Sequence, residues 1–114
     1  MCMGEEKVDR ELEFLKKVIV EEVEKAGFEV SKIILFGSRA RGDATQESDW
    51  DLLVIVNEDI SFDELKKLTA DIQLRLAALS IPNDVIIRGI KQFEASKTIV
   101  GNISYFADKE GIKI

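Results

Sequence analysis

An α+β fold with an α/β-type core, a small mixed β-sheet of about four strands carrying helices mainly on one face, is predicted by three features of the sequence. Two long segments repeat apolar residues at helical spacing, and three short apolar runs rich in β-branched residues alternate with them. A polar stretch opened by glycine separates the first two runs, and two of the runs flank a segment long enough for a crossover helix.

From Val8 to Ala26, apolar residues recur at Val8, Leu12, Leu15, Ile19, Val23 and Ala26. This is one buried face of a helix about five turns long, and Gly27 is expected to end it. Lys32 to Phe36 then reads as a strand buried on both faces and closed by Gly37. Between Gly37 and Ser48 the residues are small, charged or turn-forming, and Trp50 to Val56 follows as a second buried strand. Asn57 to Ile60 is a turn. Ser61 and Glu64 have the spacing of a capping box, opening a helix to about Ser80 whose core stripe is Phe62, Leu65, Leu68, Ile72, Leu76 and Leu79. Pro82 cannot continue it, and Asn83 to Ile87 reads as the third strand. The tail from Ile90 to Ile114 predicts one or two helical turns with Phe93, Ile99, Val100, Ile103 and Phe106 facing inward. A short terminal strand follows Gly111.

At 114 residues, 46% of them apolar, a single domain over residues 1–114 is expected. No apolar run is long enough to span a bilayer, and the first residues turn acidic where a signal peptide would become apolar, so a soluble, cytoplasmic protein without membrane contact is expected. Cys2 is the only cysteine, so no internal disulfide can form, and it reads as an inert thiol. Histidine is absent, which removes imidazole general bases, Ser-His-Asp triads and histidine-bound zinc together. A net charge of -6 argues against a broad nucleic-acid surface. Self-association is left open. Glu21, Glu22 and Glu24 read as a solvated helix face.

What remains for chemistry is oxygen. Asp49 and Asp51 are two apart on the second predicted strand, so their side chains share a face with Cα atoms roughly 6.5 to 7 Å apart, while Trp50 points to the other. They open a run of Leu, Val and Ile, where an uncompensated carboxylate is costly. Carboxylates with water suit Mg²⁺ or Mn²⁺. Alone, such a pair more often only ends a loop at the sheet edge. Upstream, Gly37-Ser38 leaves a strand end and Arg39-Ala40-Arg41 can start a helical turn, whose exposed N–H groups would cradle phosphate. It is not a Walker A loop, because no Gly-Lys-Ser/Thr follows. Asp84 opens the third strand as a further carboxylate, and three strand-borne aspartates could share two metal ions.

The segment GSRARGDATQESDWDLLVIV, Gly37 to Val56, resembles the signature of the DNA polymerase beta-like nucleotidyltransferases: Gly-Ser, about ten residues, then Asp-x-Asp in a strand. In Gly37-Ser38-x-Ala40-Arg41-Gly42 with Ser48-Asp49-x-Asp51 it looks like the minimal nucleotidyltransferase branch, small proteins often encoded beside a HEPN-domain partner. The resemblance covers most of the chain, including the preceding helix, the crossover helix, Asp84 and Glu110-Gly111-Ile112.

It implies transfer of AMP from ATP to a hydroxyl with release of pyrophosphate, and two Mg²⁺ ions, with Mn²⁺ as a substitute. Gly37 and Ser38 would hold the triphosphate, Asp49 and Asp51 the metals, and Asp84 the catalytic metal and acceptor. Arg39 and Arg41 would neutralise phosphate charge, or be solvated or paired with Asp43 and Glu47. Ser48 reads as a turn cap, and Tyr105 as an amphipathic packing residue ahead of an acceptor hydroxyl. A HEPN-type ribonuclease toxin whose tyrosine is adenylylated by this chain is the implied partner. The alternatives are an antitoxin that only covers its partner and transfer to a small-molecule hydroxyl.

Overall fold

The computed structural model describes residues 3–42, 44–45, 48–99 and 111–114, with side chains from residue 10 onward. The elements run α1 Met3–Lys25, β1 Val30–Phe36, α2 Ser38–Arg41, β2 Trp50–Val56, α3 Phe62–Ala78, β3 Asn83–Gly89, α4 Ile90–Ser96 and β4 Ile112–Lys113. The sheet is four-stranded in the order β3-β2-β1-β4. Here β1 is antiparallel to β2 and β4, while β2 and β3 are parallel and joined by α3 as the expected crossover.

The central strand explains why the sheet holds together. Leu52 to Val56 are all 0% exposed, and full burial of each such side chain stabilises the fold by about 1.5–3 kcal/mol. Alternation splits them between two cores. Leu52, Val54 and Val56 join Ile33, Leu35, Val85 and Ile87 against Leu15, Ile19 and Val23 of α1 and Leu68, Ile72 and Leu76 of α3. On the opposite face, Leu53, Ile55 and Ile34 pack with Phe93 of α4 in a smaller cluster. Helices thus lie mainly on one face. Among the described residues, no helix is long and apolar enough to cross a membrane.

Both long helices stop by the same device. At α1, Gly27 has φ 92°, its N–H donates to Glu24 O and that of Phe28 to Val23 O, which satisfies the carbonyls that a helix end leaves open. At α3, Ser80 takes φ 58°, and Ser80 N and Ile81 N donate to Ala77 O and Leu76 O. The capping box at the other end of α3 is complete, with Ser61 Oγ accepting from Glu64 N and Glu64 Oε1 accepting from Ser61 N.

Element bounds differ from the expected ones by a few residues. Helix α1 begins at Met3 rather than Val8, β1 at Val30 rather than Lys32, and β3 runs on to Gly89. Four residues expected in the core are exposed. Phe62 is 73% exposed in the first turn of α3, ahead of the part that packs. Leu79 and Ala26 stand where their helices end, and the chain reversal gives the inward places to Ile81 and Phe28. Ile99 lies beyond α4, which ends at Ser96.

Glu22 departs the other way. It is 8% exposed and accepts from Arg75 Nη1 at 3.3 Å, while Arg75 Nη2 reaches Glu21 at 3.3 Å, so this acidic stretch ties α1 to α3. The Val8 side chain and residues Cys2, Asp43, Glu47, Val100, Ile103, Tyr105, Phe106 and Glu110 lie outside the described residues.

Candidate active site

The C-terminal end of β1 and the N-terminal ends of β2 and β3 meet at one edge of the sheet, because Phe36 pairs with Asp51 and Asp51 with Asp84. Strands in register lie about 4.8 Å apart, and residues paired across a ladder leave the same face. Asp51 shares the phase of Leu53 and Ile55, and Asp84 that of Ile86, all of the smaller cluster. Both carboxylates therefore project from the face turned away from α1 and α3. Asp49 was expected inside β2 but directly precedes it, and strand pairing begins at Trp50. Trp50 points to the other face as expected, 1% exposed in the larger core.

Gly37 completes this edge. Its φ of 75° and ψ of -156° belong to a region that only glycine adopts without strain. A Cβ at this position would overlap Oδ2 of Asp51 and come within 3.0 Å of its Cγ. The backbone can thus lie against the carboxylate only because the side chain is absent. Gly37 O accepts from Ala40 N and Arg41 N, both at 3.1 Å, which turns the chain into α2. The first N–H groups of such a turn, here Ser38 and Arg39, have no acceptor within the helix. Gly42, at φ 84°, closes the turn with its N–H on Ser38 O.

Electrostatics mark Asp51 as the strained member. Its pKa is raised above the ordinary 3.8 first by burial, then by the negative charges of Asp84 and Asp49, and Arg41 opposes the rise. Asp49 and Asp84 themselves are exposed. The carboxylates are close enough to act on one another, yet among the described residues no three acidic, histidine or cysteine side chains close into a ready metal cage.

The two arginines of the loop part company. Arg41 acts electrostatically on Asp51. Arg39 instead lies 4.3 Å from the centre of the Trp50 ring, on the α1 side, and its Nε and Nη2 donate to Ser48 O at 3.3 and 3.0 Å. Ser48 closes a turn with Thr45, as expected, Ser48 Oγ accepting from Thr45 N at 2.9 Å. No pattern in the sequence marks Glu11, which accepts from Trp50 Nε1 at 3.2 Å across 39 residues of chain.

With this geometry in place, sequence comparison decides the family. Residues 16–106 match the family described as polymerase beta, nucleotidyltransferase. The chain belongs to that family. Two proteins of Methanocaldococcus jannaschii, each named as a protein adenylyltransferase, are similar to it. One is 48% identical over 46 residues, covering 40% of this chain and 44% of the relative. The other is 36% identical over 70 residues, covering 60% and 66%. The matched part therefore spans less than two thirds of either relative.

Among solved structures, the fold is similar to a chain of a toxin–antitoxin complex with AMP-PNP, at a TM-score of 0.55 and 18% identity, covering 85% of this chain and 69% of that one. It is also similar to a chain of a mutant of the toxin–antitoxin MntA–HpeT, at a TM-score of 0.54 and 16% identity, covering 89% and 69%. These likenesses concern the fold.

Members of the family use a nucleoside triphosphate and a divalent metal. The residues at this edge fit that chemistry. All the donors are oxygen, the charge on Asp51 is disfavoured by two neighbouring carboxylates that a cation would offset, and Gly37 lets the backbone of the turn lie directly against Asp51.

Proposed function

We propose that this chain transfers AMP from Mg-ATP to a hydroxyl, that of a tyrosine on a HEPN-type ribonuclease toxin, and so acts as the toxin's antitoxin. The observation that carries the reading is the contact of Gly37 with the Asp51 carboxylate, beside Asp84 in register, in a chain of the nucleotidyltransferase family. Its extension to a toxin partner is supported by the toxin–antitoxin complexes among the structural neighbours, one of them with AMP-PNP, and by the names of the two archaeal relatives. The whole of residues 1–114 serves as one domain in this reading.

In the reaction, the acceptor oxygen bonds to the α-phosphorus of ATP, the bond from that phosphorus to the oxygen bridging to the β-phosphate breaks, and pyrophosphate leaves. Gly37 and Ser38 cradle the triphosphate through backbone N–H groups and the Ser38 hydroxyl. Arg41 offsets phosphate charge from the side of Asp51. Asp84, at the exposed edge, orients the acceptor hydroxyl and receives its proton. Asp49, Asp51 and Asp84 would hold two Mg²⁺ ions, or Mn²⁺, which supply charge neutralisation and lower the acceptor's pKa when bound.

The test is AMP labelling of the partner by the purified chain with ATP and Mg²⁺. Labelling should appear on a tyrosine and vanish in Asp49→Asn and in Asp51→Asn. Transfer that persists in both variants sinks the proposal. Neutralisation of the toxin by Asp51→Asn without labelling would mean an antitoxin that acts by covering, and pyrophosphate release with a metabolite and no labelled protein would mean a small-molecule acceptor.

A further inference from the structure

Asp49 stands just outside the strand ladder, so sheet pairing alone does not fix it. The peptides on either side of it are held by other segments. Before it, Ser48 O accepts the two N–H bonds from Arg39, at 3.3 and 3.0 Å. After it, Trp50 N donates to Pro82 O at 3.0 Å. The Trp50 ring is in turn set between the Arg39 guanidinium, 4.3 Å from the ring centre, and the 3.2 Å bond of its Nε1 to Glu11.

A planar guanidinium can present two N–H groups in its own plane to one carbonyl while its face lies on an aromatic ring; an ammonium cannot do both. Arg39 also directly follows Ser38 in α2, so a single side chain joins the Gly37-Ser38 turn to the backbone that carries Asp49.

We infer that Arg39 is a positioning residue for the Asp49-x-Asp51 carboxylates, setting the Asp49 backbone against the Gly37-Ser38 turn from the Trp50 side, and not a phosphate ligand. The inference rests on the nucleotidyltransferase reading of this edge. It takes Arg39 out of the phosphate-binding set and gives it the placement of the Asp49 backbone.

The experiment measures Mn²⁺ binding to the full chain without nucleotide, from the free-ion electron paramagnetic resonance signal. Arg39→Lys keeps the charge and loses the fork and the stack; Arg39→Met loses all three. Both should raise half-saturating Mn²⁺ by about tenfold or more, as loss of a residue that orients metal ligands commonly does. Emission from Trp50, the only tryptophan, should shift in both, and ATP affinity at saturating metal should stay unchanged. Unaltered Mn²⁺ affinity, with ATP binding weakened in Arg39→Met and restored in Arg39→Lys, would overturn the inference in favour of a phosphate contact. Asp51→Asn is the separate control: if it leaves Mn²⁺ binding intact, the metal-site reading itself falls.

Discussion

Gly37 lies against the Asp51 carboxylate so closely that a methyl group on the glycine would occupy the space of Oδ2. This contact joins the end of β1 to the start of β2 and sets the Gly37-Ser38 turn beside the most buried acid of the edge. Two independent penalties await Gly37→Ala: overlap with Asp51, and a backbone region that costs other residues about 1–3 kcal/mol. Gly42 also has positive φ, 84°, but among the described residues nothing lies within 4 Å of a Cβ placed there. Gly42→Ala should therefore cost only about 1 kcal/mol in urea unfolding and keep most AMP transfer, whereas Gly37→Ala should lose transfer by about 100-fold or more. Similar transfer rates in the two variants would remove Gly37 from the site.

The raised pKa of Asp51 makes its ionised form a cost to the metal-free fold. Because its folded value lies above the unfolded 3.8, the native state binds more protons between those two values, and stability falls as pH rises through that window. Above the window the full cost remains; below pH 3.8 it vanishes. Asp51→Asn should thus raise the urea midpoint at neutral pH in the presence of a chelator, lose that advantage at acid pH, and abolish AMP transfer. A neutral-pH midpoint below that of the unaltered chain would contradict the electrostatic account.

Where the sequence was legible, local chemistry and tertiary structure agreed. The body of β2 was readable because Leu52 to Val56 are buried on both faces, leaving no polar interruption, and the cap at Ser61 and Glu64 is a purely local bond pattern. Helical periodicity misled at the ends, since Phe62, Leu79, Ala26 and Ile99 keep the spacing of a core stripe past the point where a neighbour covers it. The Asp-x-Asp spacing indicated two carboxylates on one face, but the register Phe36–Asp51–Asp84 depends on one antiparallel and one parallel pairing that no local pattern encodes. Arg39 shows the same limit. Its charge suggested phosphate, and only the folded chain brings Trp50 and Ser48 to it.

Glu22 offers a test of a contact invisible to periodicity. Its side chain is 10% exposed and paired with Arg75, whose own side chain is 42% exposed. Arg75→Ala would leave a largely buried carboxylate without its 3.3 Å partner, and solvent at the arginine end limits the loss to about 1–2 kcal/mol. Glu21, 47% exposed on the same arginine, should matter far less: Glu21→Gln is expected to change stability by under about 0.5 kcal/mol. Equal losses in the two variants would show that burial of Glu22 carries no weight.

The paired helix ends make a prediction of opposite sign at two sites. Gly27 and Ser80 hold equivalent positions, each the left-handed residue after a long helix, each followed by an apolar residue whose N–H donates back five residues. Gly27 is suited to φ 92°, and alanine there should cost about 1 kcal/mol through the left-handed backbone, since no atom of the described residues lies within 4 Å of the added Cβ. Ser80 already bears that strain at φ 58° on an exposed site, so Ser80→Gly should gain roughly 0.5–1 kcal/mol, the relief of strain exceeding the added freedom of the unfolded chain. Both sites lie outside the proposed catalytic edge. Unfolding midpoints should therefore move in opposite directions while AMP transfer by both variants stays at the level of the unaltered chain; a fall in midpoint for Ser80→Gly would mean that the serine hydroxyl, not the backbone, governs that helix end.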